Sequence, residues 1–584
     1  MKKNTTKTFL VLMCLFIAVL MVFTSCNGTS NTQSGSNTDG NKASGDANKD
    51  PDKPVTPQKP DIDYSKDPTM DGIDTSFMKN FADMFTERDQ SAEFDESKSA
   101  VINLSTSGIE SSSKAVRISD NKAMLVEEGT YIVRGTLLDG MIIVNAAKTA
   151  KVQIVLDGVE LSSSTSAPIY VMNADKVVIT LKEGTENALS NGGSFVAIDE
   201  NNIDAAIFSK DDLTINGKGF LRVTSPAGHG IVSNDDLVIA GGSYNINAAG
   251  HALDANDSIR LDSANGTFVS GKDGIHVENK DDSALGFLYV NSGEYIIDAK
   301  GDGISASADI QINNGKFDIE AGKGVVATDD PEAASTKGIR TDGNLIVNDG
   351  SFVLISNDDG FNVKKNAIFV AGSLDISVGD DAVHSDNALY SVNAQITVKK
   401  SYEGLEAAIV DIRGGKADIV AENDAINVAG GSDGTSADSF GSVDGNLFIS
   451  GGDHVLKAGG DGLDVNGSFN MSGGKVLVYV SAADESEAFD YEGEGEISGG
   501  LFIAAGSASI ASIPEAKGQG IISVNSGAQA ANTKITVYGT GDMELISVRP
   551  ELDFEVVIIC GPELVKGETY KVTVGDLSGS FVAK

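Results

Sequence analysis

Three kinds of residue are scarce in this 584-residue sequence, and each scarcity excludes something. There is no tryptophan and there are only 12 tyrosines, so few aromatic side chains combine a flat ring for stacking on a ligand with a polar group. The three cysteines are Cys14, Cys26 and Cys560, which excludes a disulfide framework beyond one Cys26–Cys560 pair. Proline is rare, with 11 residues against 66 glycines, and this balance favours many short strands joined by tight turns.

Positive charge is scarce as well. The sequence has 44 Lys and Arg residues against 84 Asp and Glu residues, for a formal net charge of -40. Such a chain repels phosphate backbones, so the composition predicts no nucleic-acid partner. The charge alone leaves two roles open for the acidic surface, which are to collect divalent cations or to keep a large secreted protein in solution.

The N-terminal segment carries an apolar run, Phe9–Phe23, behind several lysines. The run is short for a membrane span and has the length of the apolar part of a signal peptide. The next residues, Phe23-Thr24-Ser25-Cys26, resemble a bacterial lipobox, a motif whose cysteine is lipidated and becomes the mature N-terminus. This resemblance implies an extracellular protein anchored to the cell membrane through a lipid on Cys26. An ordinary signal peptide and an uncleaved anchor are the alternatives.

Composition divides the chain into five segments. Residues 1–26 are the predicted signal peptide, and residues 27–70, with almost no apolar side chains, are a predicted disordered tether. Residues 71–100 are predicted to form an N-terminal cap with a short helix, because the end of a repeat array exposes an apolar layer. Residues 101–510 carry the repeats. Residues 511–584 are predicted to form a small C-terminal β cap or appended module.

A four-residue motif, the tetrad, recurs between His229 and Asp490. It reads acid, small residue, large apolar residue, polar residue, and its five central copies begin 22, 22, 22 and 21 residues apart. The central copies are Lys337-Gly338-Ile339-Arg340, Asp359-Gly360-Phe361-Asn362, Asp381-Ala382-Val383-His384, Glu403-Gly404-Leu405-Glu406 and Asp424-Ala425-Ile426-Asn427. Further copies begin at His229, His251, Asp273, Asp302, Asp461 and Glu487. A fixed period with one apolar position per unit indicates a solenoid.

Each unit also contains a glycine turn between short strands, as at Gly241–Tyr244 and Gly473–Val476. A unit of this length fits one coil of a parallel β-helix, in which each strand pairs with its equivalent in the next coil. Coils then lie about 4.8 Å apart and equivalent residues form ladders. The sequence therefore predicts an all-β solenoid with one internal apolar ladder. The predicted ladder comprises Ile231, Leu253, Ile275, Ile304, Ile339, Phe361, Val383, Leu405, Ile426 and Leu463.

Several of these stretches together resemble a known family. They are Ile207–Gly217, Gly228–Ile231, the series of tetrads, and Ser401–Glu406. With them the sequence resembles the bacterial carbohydrate-binding domain-containing proteins, which are secreted, polysaccharide-lyase-like, right-handed parallel β-helices. The resemblance covers roughly residues 82–500 and implies binding of cell-wall polysaccharide, acidic polymers included, and of calcium. It does not imply an enzyme.

The acids that open the tetrads are the candidate functional groups. If Phe361 and Val363 point inward, Asn362 points outward and Asp359 lies at the preceding turn. One outer edge of the stack should then carry a line of acids beside a line of polar groups. Carboxylates about 5 Å apart repel by about 1 kcal/mol in water, and by several times that where the effective dielectric constant is lower.

Calcium would relieve this repulsion, because it takes about six to eight oxygen ligands from acids, amides and carbonyls. The predicted metal site extends over successive coils and comprises Asp359, Asp380, Asp381, Glu403, Glu406, Asp424 and Asn427. The alternative for these acids is structural, since Asp before Gly is a favoured turn residue whose side chain bonds nearby backbone N–H groups. His251 and Lys337 replace the acid in their tetrads, so a ligand role is in doubt there.

The predicted partner is a plant cell-wall polysaccharide, with polygalacturonate and cellulose as candidates. A uronate carboxylate would complete the coordination shell of the calcium, which lets an acidic protein hold an acidic polymer. The candidate carbohydrate contacts are Tyr402, which can stack on a sugar ring, with Lys364 and Lys400. For Tyr402 the alternative is packing over the edge of a coil.

Three functions follow from this sequence, and it favours the first. The first is a calcium-dependent, cell-surface polysaccharide-binding lipoprotein that acts as a monomer. The second is a calcium-dependent lyase of the pectate type, which needs a base near the sugar C5 proton and a cation to neutralise the uronate. The third is a structural surface spike or adhesin. No residue is predicted to be catalytic.

Overall fold

The computed structural model describes residues 68–322, 336–429, 445–482, 486–508 and 512–584. All of them belong to one compact unit, Pro57–Lys584. The predicted signal peptide, Cys26 and nearly all of the predicted tether lie outside the described residues. Within the described part of the chain, no helix is long and apolar enough to cross a membrane.

Among the described residues, helix is confined to four single turns. Two are α-helical, Phe81–Met84 and Glu87–Gln90, and two are 3-10 turns, Glu96–Lys98 and Thr540–Asp542. The predicted short helix near Phe81 is therefore present, but it is broken in two by Phe85 and Thr86, which have extended backbone angles.

Strands make up nearly all of the remaining regular structure, which confirms the predicted all-β fold. The first strands are Ala100–Ser105, Gly108–Glu110, Val116–Ser119, Lys122–Leu125, Gly129–Leu137, Met141–Asn145, Lys151–Ser163, Ile169–Asn173, Lys176–Leu181 and Glu186–Asn191. Those of the repeats are Ala205–Ser209, Asp212–Ser225, His229–Ser233, Asp236–Ala248, Leu253–Ala255, Ser258–Asp262, Ala264–Ser270, Ile275–Val277, Phe287–Val290, Gly293–Ala299, Ile304–Ala306, Ile310–Ile312, Lys316–Ala321, Ile339–Thr341, Leu345–Val347, Ser351–Ile355, Phe361–Val363, Asn366–Phe369, Ser373–Ser377, Val383–Ser391, Gln395–Lys400, Leu405–Ile412, Lys416–Ala421, Ile426–Val428, Asn446–Ile449, Asp453–Ala458, Asp464–Val465, Ser468–Val480, Asp490–Tyr491 and Gly495–Gly506. The last are Glu515–Ala516, Gly520–Gln529, Ile535–Tyr538, Glu544–Val548, Phe554–Gly561, Thr569–Val574 and Leu577–Val582.

Strands of successive repeats pair in parallel and in register. Phe361 pairs with Val383, and Val383 pairs with Leu405, so the apolar residue of each tetrad faces its equivalent in the next repeat. The predicted internal ladder is confirmed, because every member is buried with no exposed surface. A second column of the core stacks aromatic rings, with the Phe317 and Phe352 centroids 4.8 Å apart and their planes 4° from parallel. Burial of these columns is the main stabilising term of the stack.

The sheet is mixed, because antiparallel pairs occur at both ends of the stack. At the N-terminal end, Ala100–Ser105 pairs with Gly108–Glu110 in antiparallel fashion. At the C-terminal end, Phe554–Gly561 pairs antiparallel with both Gly495–Gly506 and Gly520–Gln529. A separate four-stranded antiparallel sheet is formed by Ile535–Tyr538, Glu544–Val548, Thr569–Val574 and Leu577–Val582. Antiparallel pairing at the ends covers strand edges that would otherwise template further pairing.

Residues 68–98 form a strap that runs along the flank of the repeats. The strap crosses the repeats in reverse chain order, as its contacts show: Thr69 and Asp71 with Arg413, Lys79 with Gln311, Met84 with Arg260, Asp89 with Lys176, Glu93 with Gln153, and Glu96 with Arg134. Apolar side chains fasten it in two places, where Ile73 packs on Ile346 and Ile368, and where Phe85 packs beside Tyr289. This segment was expected to cap the open end. It lies along the side instead, because its apolar residues meet apolar patches on the flank.

Replacement of Asp89 by alanine is expected to loosen the strap and destabilise the protein. Asp89 is buried, its Oδ1 lies 2.6 Å from Lys176 Nζ, and it accepts a hydrogen bond from Thr214. Removal of one partner from a buried ion pair leaves the other charge uncompensated, which costs about 3 kcal/mol. Urea unfolding would measure this loss. The control is Asp95→Ala, in the same strap but exposed and paired with Lys98, which is expected to have a much smaller effect because an exposed ion pair contributes little to stability. Equal effects of the two substitutions would contradict a fastening role for Asp89.

Candidate functional site

The first and fourth side chains of the tetrads form two neighbouring ladders, which we call the polar seam. Strand register aligns the fourth positions, with Asn362 next to His384 and His384 next to Glu406. The two ladders contact each other within a tetrad, as Asn362 Nδ2 donates to Asp359 Oδ2 at 2.8 Å. They also contact each other between tetrads, as Asn427 Nδ2 donates to Glu403 Oε2 at 2.7 Å. The seam runs from the tetrad at His229 to the tetrad at Glu487.

Side chains at the first position accept hydrogen bonds from the backbone N–H of the next tetrad. These bonds are Asp302 N to Asp273 Oδ1 at 2.9 Å, Lys337 N to Asp302 Oδ1 at 2.8 Å, Asp381 N to Asp359 Oδ1 at 3.1 Å, Asp461 N to Asp424 Oδ1 at 2.5 Å and Glu487 N to Asp461 Oδ1 at 2.6 Å. Histidine acts in the same way where it replaces the acid, since His229 Nδ1 accepts from His251 N at 3.1 Å. The first position is therefore structural whether or not it also binds an ion. The side chain at this position accepts a hydrogen bond from the backbone of the next repeat rather than from its own turn.

The predicted outer edge is wrong for the middle of the seam, because these side chains are covered. Asp359 and Asn362 are 0% exposed, His384 is 2% exposed and Asp381 is 4% exposed. Each polar side chain packs between its equivalents in the repeats before and after it. Strand alternation correctly separated the polar residues from the apolar core, but it does not determine exposure to solvent.

Lys337 supplies a counter-charge inside the seam. Its Nζ lies 2.8 Å from Asp358 Oδ2 and 2.9 Å from Asp359 Oδ2. Burial disfavours the charged ammonium, but the two carboxylates outweigh it and raise the pKa of Lys337. The tetrad without an acid thus neutralises the acids of the tetrad that follows it. Asp358, Asp359 and Asp380 also bring one carboxylate oxygen each within 4.8 Å of one another.

His384 is at the centre of the next cluster. Its Nδ1 lies 2.7 Å from Glu406 Oε2 and 3.3 Å from Asp381 Oδ2, and its Nε2 lies 3.0 Å from Asp386 Oδ1. Burial raises the pKa of Asp381 to about 7, with the nearby Glu406 adding to the shift and His384 opposing it. Asp381, His384 and Glu406 are close enough to share one ion. His384 was absent from the predicted metal site, although its place at the fourth position of a tetrad could have revealed it.

Glu403 and Asp424 form the part of the seam where acids accumulate without a basic partner. Asn427 and Asn423 donate hydrogen bonds to Glu403, and no Lys or Arg of the described ranges pairs with either acid. Burial raises the pKa of Glu403 to about 7, helped by the charge of Asp381. Burial also raises the pKa of Asp424 to about 7, helped by the charge of Glu403.

The accumulation of acids continues beyond the predicted site. Burial raises the pKa of Asp464 to about 7 and that of Glu487 to about 7, in each case with help from neighbouring acids. Both residues belong to tetrads that the sequence displays, so repeat position was a sufficient signal for them. The seam therefore extends its uncompensated acids over the last three tetrads, from Asp424 onward.

The predicted carbohydrate contacts are separated from each other. Tyr402 directly precedes Glu403 and is 48% exposed, so about half of its surface is open to solvent. Lys400 is exposed and its Nζ lies 3.4 Å from Glu422 Oε1. Lys364 Nζ lies 3.6 Å from Asp386 Oδ1, beside the His384 cluster. Of the three, Tyr402 is the residue adjacent to Glu403 in the chain.

Comparison with known proteins gives consistent matches. A family model described as carbohydrate-binding domain-containing protein matches residues 119–382. A protein of the same description from Acetivibrio thermocellus is 34% identical over 207 residues, which is 35% of this chain and 72% of that protein. A solved structure described as a polysaccharide lyase-like protein from C. thermocellum, in a gadolinium derivative, is 30% identical, with a TM-score of 0.39, and the match covers 42% of this chain and 96% of that one.

Asp302 offers a direct test of the acceptor role of the first position. Asp302→Ala removes the acceptor of the Lys337 N–H and is expected to cost about 1–3 kcal/mol, the penalty for an unsatisfied buried donor. Asp302→Asn retains an oxygen at the same place. Its free energy of unfolding is expected to lie within about 0.5 kcal/mol of that of the wild type, or to exceed it. Urea unfolding of the two variants makes the comparison. Equal destabilisation by alanine and asparagine would contradict the acceptor role.

Stability is expected to fall when the pH is raised from about 6 to about 8 in a chelator. Burial raises the folded-state pKa of Glu403, Asp424 and Asp464 to about 7, whereas unfolded carboxyls titrate near pH ~4. The folded state then holds the extra protons. The stabilising contribution is complete below about pH 4 and is lost as the pH rises through about 7.

Thermal unfolding at several pH values measures this loss. His251 acts oppositely at lower pH, since burial lowers its pKa to about 3 and stability falls below about pH 6.5, the unfolded value. Above about pH 6.5 the acids share the window with His276: burial disfavours its charged form, but the hydrogen bond and charge of Asp254 raise the pKa of His276, so its stabilising contribution is lost in the same direction. Comparison of an acid-to-amide variant with the wild type separates the acid from His276. Glu403→Gln, which carries no titrating proton, is expected to show a shallower decline than the wild type. An identical decline would exclude Glu403 as a contributor.

Proposed function

Because this chain belongs to the family of carbohydrate-binding domain-containing proteins, we propose that it binds polysaccharide. The single observation that carries the finer proposal is the pair of acids Glu403 and Asp424. Both are largely covered, both have a raised pKa, and neither has a basic partner in the described part of the chain. An external cation would compensate their charge when they ionise, and the exposed Tyr402 directly precedes Glu403 in the chain.

We infer that the repeats form a right-handed parallel β-helix as the scaffold of this function. In-register parallel pairing from one repeat to the next supports the helical winding. Crossover connections between parallel strands of one sheet are right-handed in nearly all proteins, which supports the hand. Such a scaffold sets equivalent side chains about 4.8 Å apart along a line.

Calcium is the cation that this part of the seam suits best. The side chains around Glu403 carry oxygen atoms that can serve as metal ligands. They are Asp424, Asn423 and Asn427, which form hydrogen bonds with Glu403 or with each other. Calcium takes about six to eight such oxygens in flexible geometry. Bound calcium would hold Glu403 and Asp424 ionised and remove their mutual repulsion. Asp359 already faces Lys337, so the proposal centres on the tetrads from Asp381 to Asp424.

An acidic polymer of the polygalacturonate type is the ligand that this cation favours. A uronate carboxylate can occupy a coordination position that the protein leaves open, while Tyr402 presents its ring to the sugar. Cellulose, which has no carboxylate, would have to rely on ring stacking alone. The sequence has 12 tyrosines and no tryptophan for that purpose.

We further propose that the protein acts at the outer face of the cell membrane, held by lipid on Cys26.

Binding is favoured over lyase chemistry, because the basic side chains near the seam are held in ion pairs. Lys364 faces Asp386, and Lys400 faces Glu422. Arg413 is bonded to Asp411 and to backbone oxygens of the strap. A lysine or arginine held by a carboxylate is a poor general base, since its proton is stabilised.

Polygalacturonate pull-down with and without EDTA is the test. Wild-type protein is expected to bind the polymer in calcium and to release it in EDTA, without producing the absorbance of unsaturated sugars. Glu403→Gln and Asp424→Asn are each expected to weaken calcium binding at least about tenfold, measured by calorimetry, because each removes a charged ligand.

Asp375→Asn is the matched control, because Asp375 is partly exposed and paired with Lys399 away from the seam. It is expected to bind calcium and polymer like the wild type. Unsaturated product in calcium would favour the lyase. Polymer binding that survives EDTA would reject the calcium dependence, and absence of binding to polygalacturonate and cellulose alike would reject the proposed function.

A further inference from the structure

Imidazoles stand in the N-terminal part of the polar seam. His229 and His251 occupy first positions and His276 occupies a fourth position, which together are three of the five histidines in the chain. Their rings stack in a row, with centroids 4.9 Å apart between His229 and His251 and 4.2 Å apart between His251 and His276. This part of the seam therefore offers nitrogen ligands, whereas the part near Glu403 offers oxygens.

Carboxylates lie within contact distance of the row. His276 Nδ1 is 2.8 Å from Asp254 Oδ1, and His251 Nδ1 is 3.3 Å from Asp273 Oδ2. One ligand atom each from His251, Asp273 and His276 lies within 4.8 Å of the other two. The side chains are mostly covered, at 10%, 17% and 21% exposed for His251, Asp273 and His276.

The architecture of the seam does not itself require these imidazoles. The backbone bond that His251 accepts from Asp273 N is made equally well by a carboxylate at Asp273 and at Asp302. His276 contributes no bond to the backbone of the next tetrad, and the polar contact made by its Nδ1 is with Asp254. Acceptance of a backbone N–H therefore explains an acceptor at these positions but not the choice of histidine.

We propose that His251, Asp273 and His276 bind a divalent transition-metal ion of the Zn²⁺ class. Two imidazole nitrogens and one carboxylate are a common ligand set for zinc, with a fourth position left for water or a ligand. Imidazole selects such ions over calcium, which takes oxygens. The site is independent of the calcium proposal, since Asp273 is three repeats, or about 14 Å, from Asp359.

Asp254 acts as a positioning residue for this site. Its carboxylate holds His276 Nδ1, which keeps the proton on that nitrogen and leaves Nε2 with a lone pair for the metal. His251 is different, because its Nδ1 already accepts the Asp273 N–H at 3.1 Å. On binding, His251 exchanges this hydrogen bond for the metal bond or changes tautomer. In either case, metal binding breaks the hydrogen bond between the Asp273 N–H and His251 Nδ1.

Titration of the purified protein with Zn²⁺ in excess Ca²⁺ tests the proposal. Calorimetry is expected to report one tight Zn²⁺ site that calcium does not block. His251→Asn removes the imidazole but keeps an oxygen acceptor for the Asp273 N–H, and it is expected to weaken Zn²⁺ binding by at least about a hundredfold. Asp254→Asn is expected to weaken it by about 10–100-fold, as for other residues that orient a metal-bound histidine.

Asp461→Asn is the control, since Asp461 makes the same backbone bond at the far end of the seam. It is expected to leave Zn²⁺ affinity unchanged. X-ray absorption of the Zn²⁺-loaded wild type gives a second readout that depends on no variant, and it is expected to show two imidazole ligands. Absence of a calcium-resistant Zn²⁺ site, full affinity in His251→Asn, or an all-oxygen shell would overturn the proposal.

Discussion

In-register stacking of like on like is the constraint from which the rest of this structure follows. Each residue of a repeat faces its equivalent in the next at the spacing of paired strands, about 4.8 Å. For Phe361, Val383 and Leu405 this is favourable, since apolar side chains bury each other. For charged side chains the same geometry is unfavourable, because like charges at this distance repel. A repeat protein with acids at a fixed position must offset that repulsion step by step.

The polar seam offsets the repulsion between stacked acids in three different ways along its length. The first part uses neutral imidazoles, whose Nδ1 accepts a backbone N–H as a carboxylate would. The middle part uses Lys337, which faces two carboxylates, and His384, which lies between Asp381 and Glu406. In the last part, burial raises the pKa of acids such as Glu403 and Asp464, which favours their neutral, protonated form. The three parts thus differ in the groups that they present, which are imidazole nitrogens in the first, paired opposite charges in the middle and carboxylates without a basic partner among the described residues in the last.

Stacked repeats usually contact only their neighbours, but within the described ranges the strap also contacts repeats that lie far apart. It joins residues near position 70 to Arg413 and residues near position 90 to Lys176. Such contacts couple repeats that share no interface, which gives the array a cooperativity that nearest-neighbour pairing alone does not supply. The antiparallel strands at the two ends complete the enclosure, since they pair with edges that the repeats leave open.

The period, the strand content and the apolar ladder could be predicted from the order of residues. This was possible because these features depend on local pattern, with one large apolar residue such as Ile339 or Phe361 in each unit. The sequence also marked the tetrads that carry Glu403 and Asp424. Tertiary structure alone decided that Asp359 and Asn362 are buried, that Lys337 neutralises the acids one repeat later, and that residues 68–98 lie along the flank. Alternation shows which way a side chain leaves its strand, but not what covers it. Contacts across hundreds of residues, such as Asp71 with Arg413, leave no trace in local pattern.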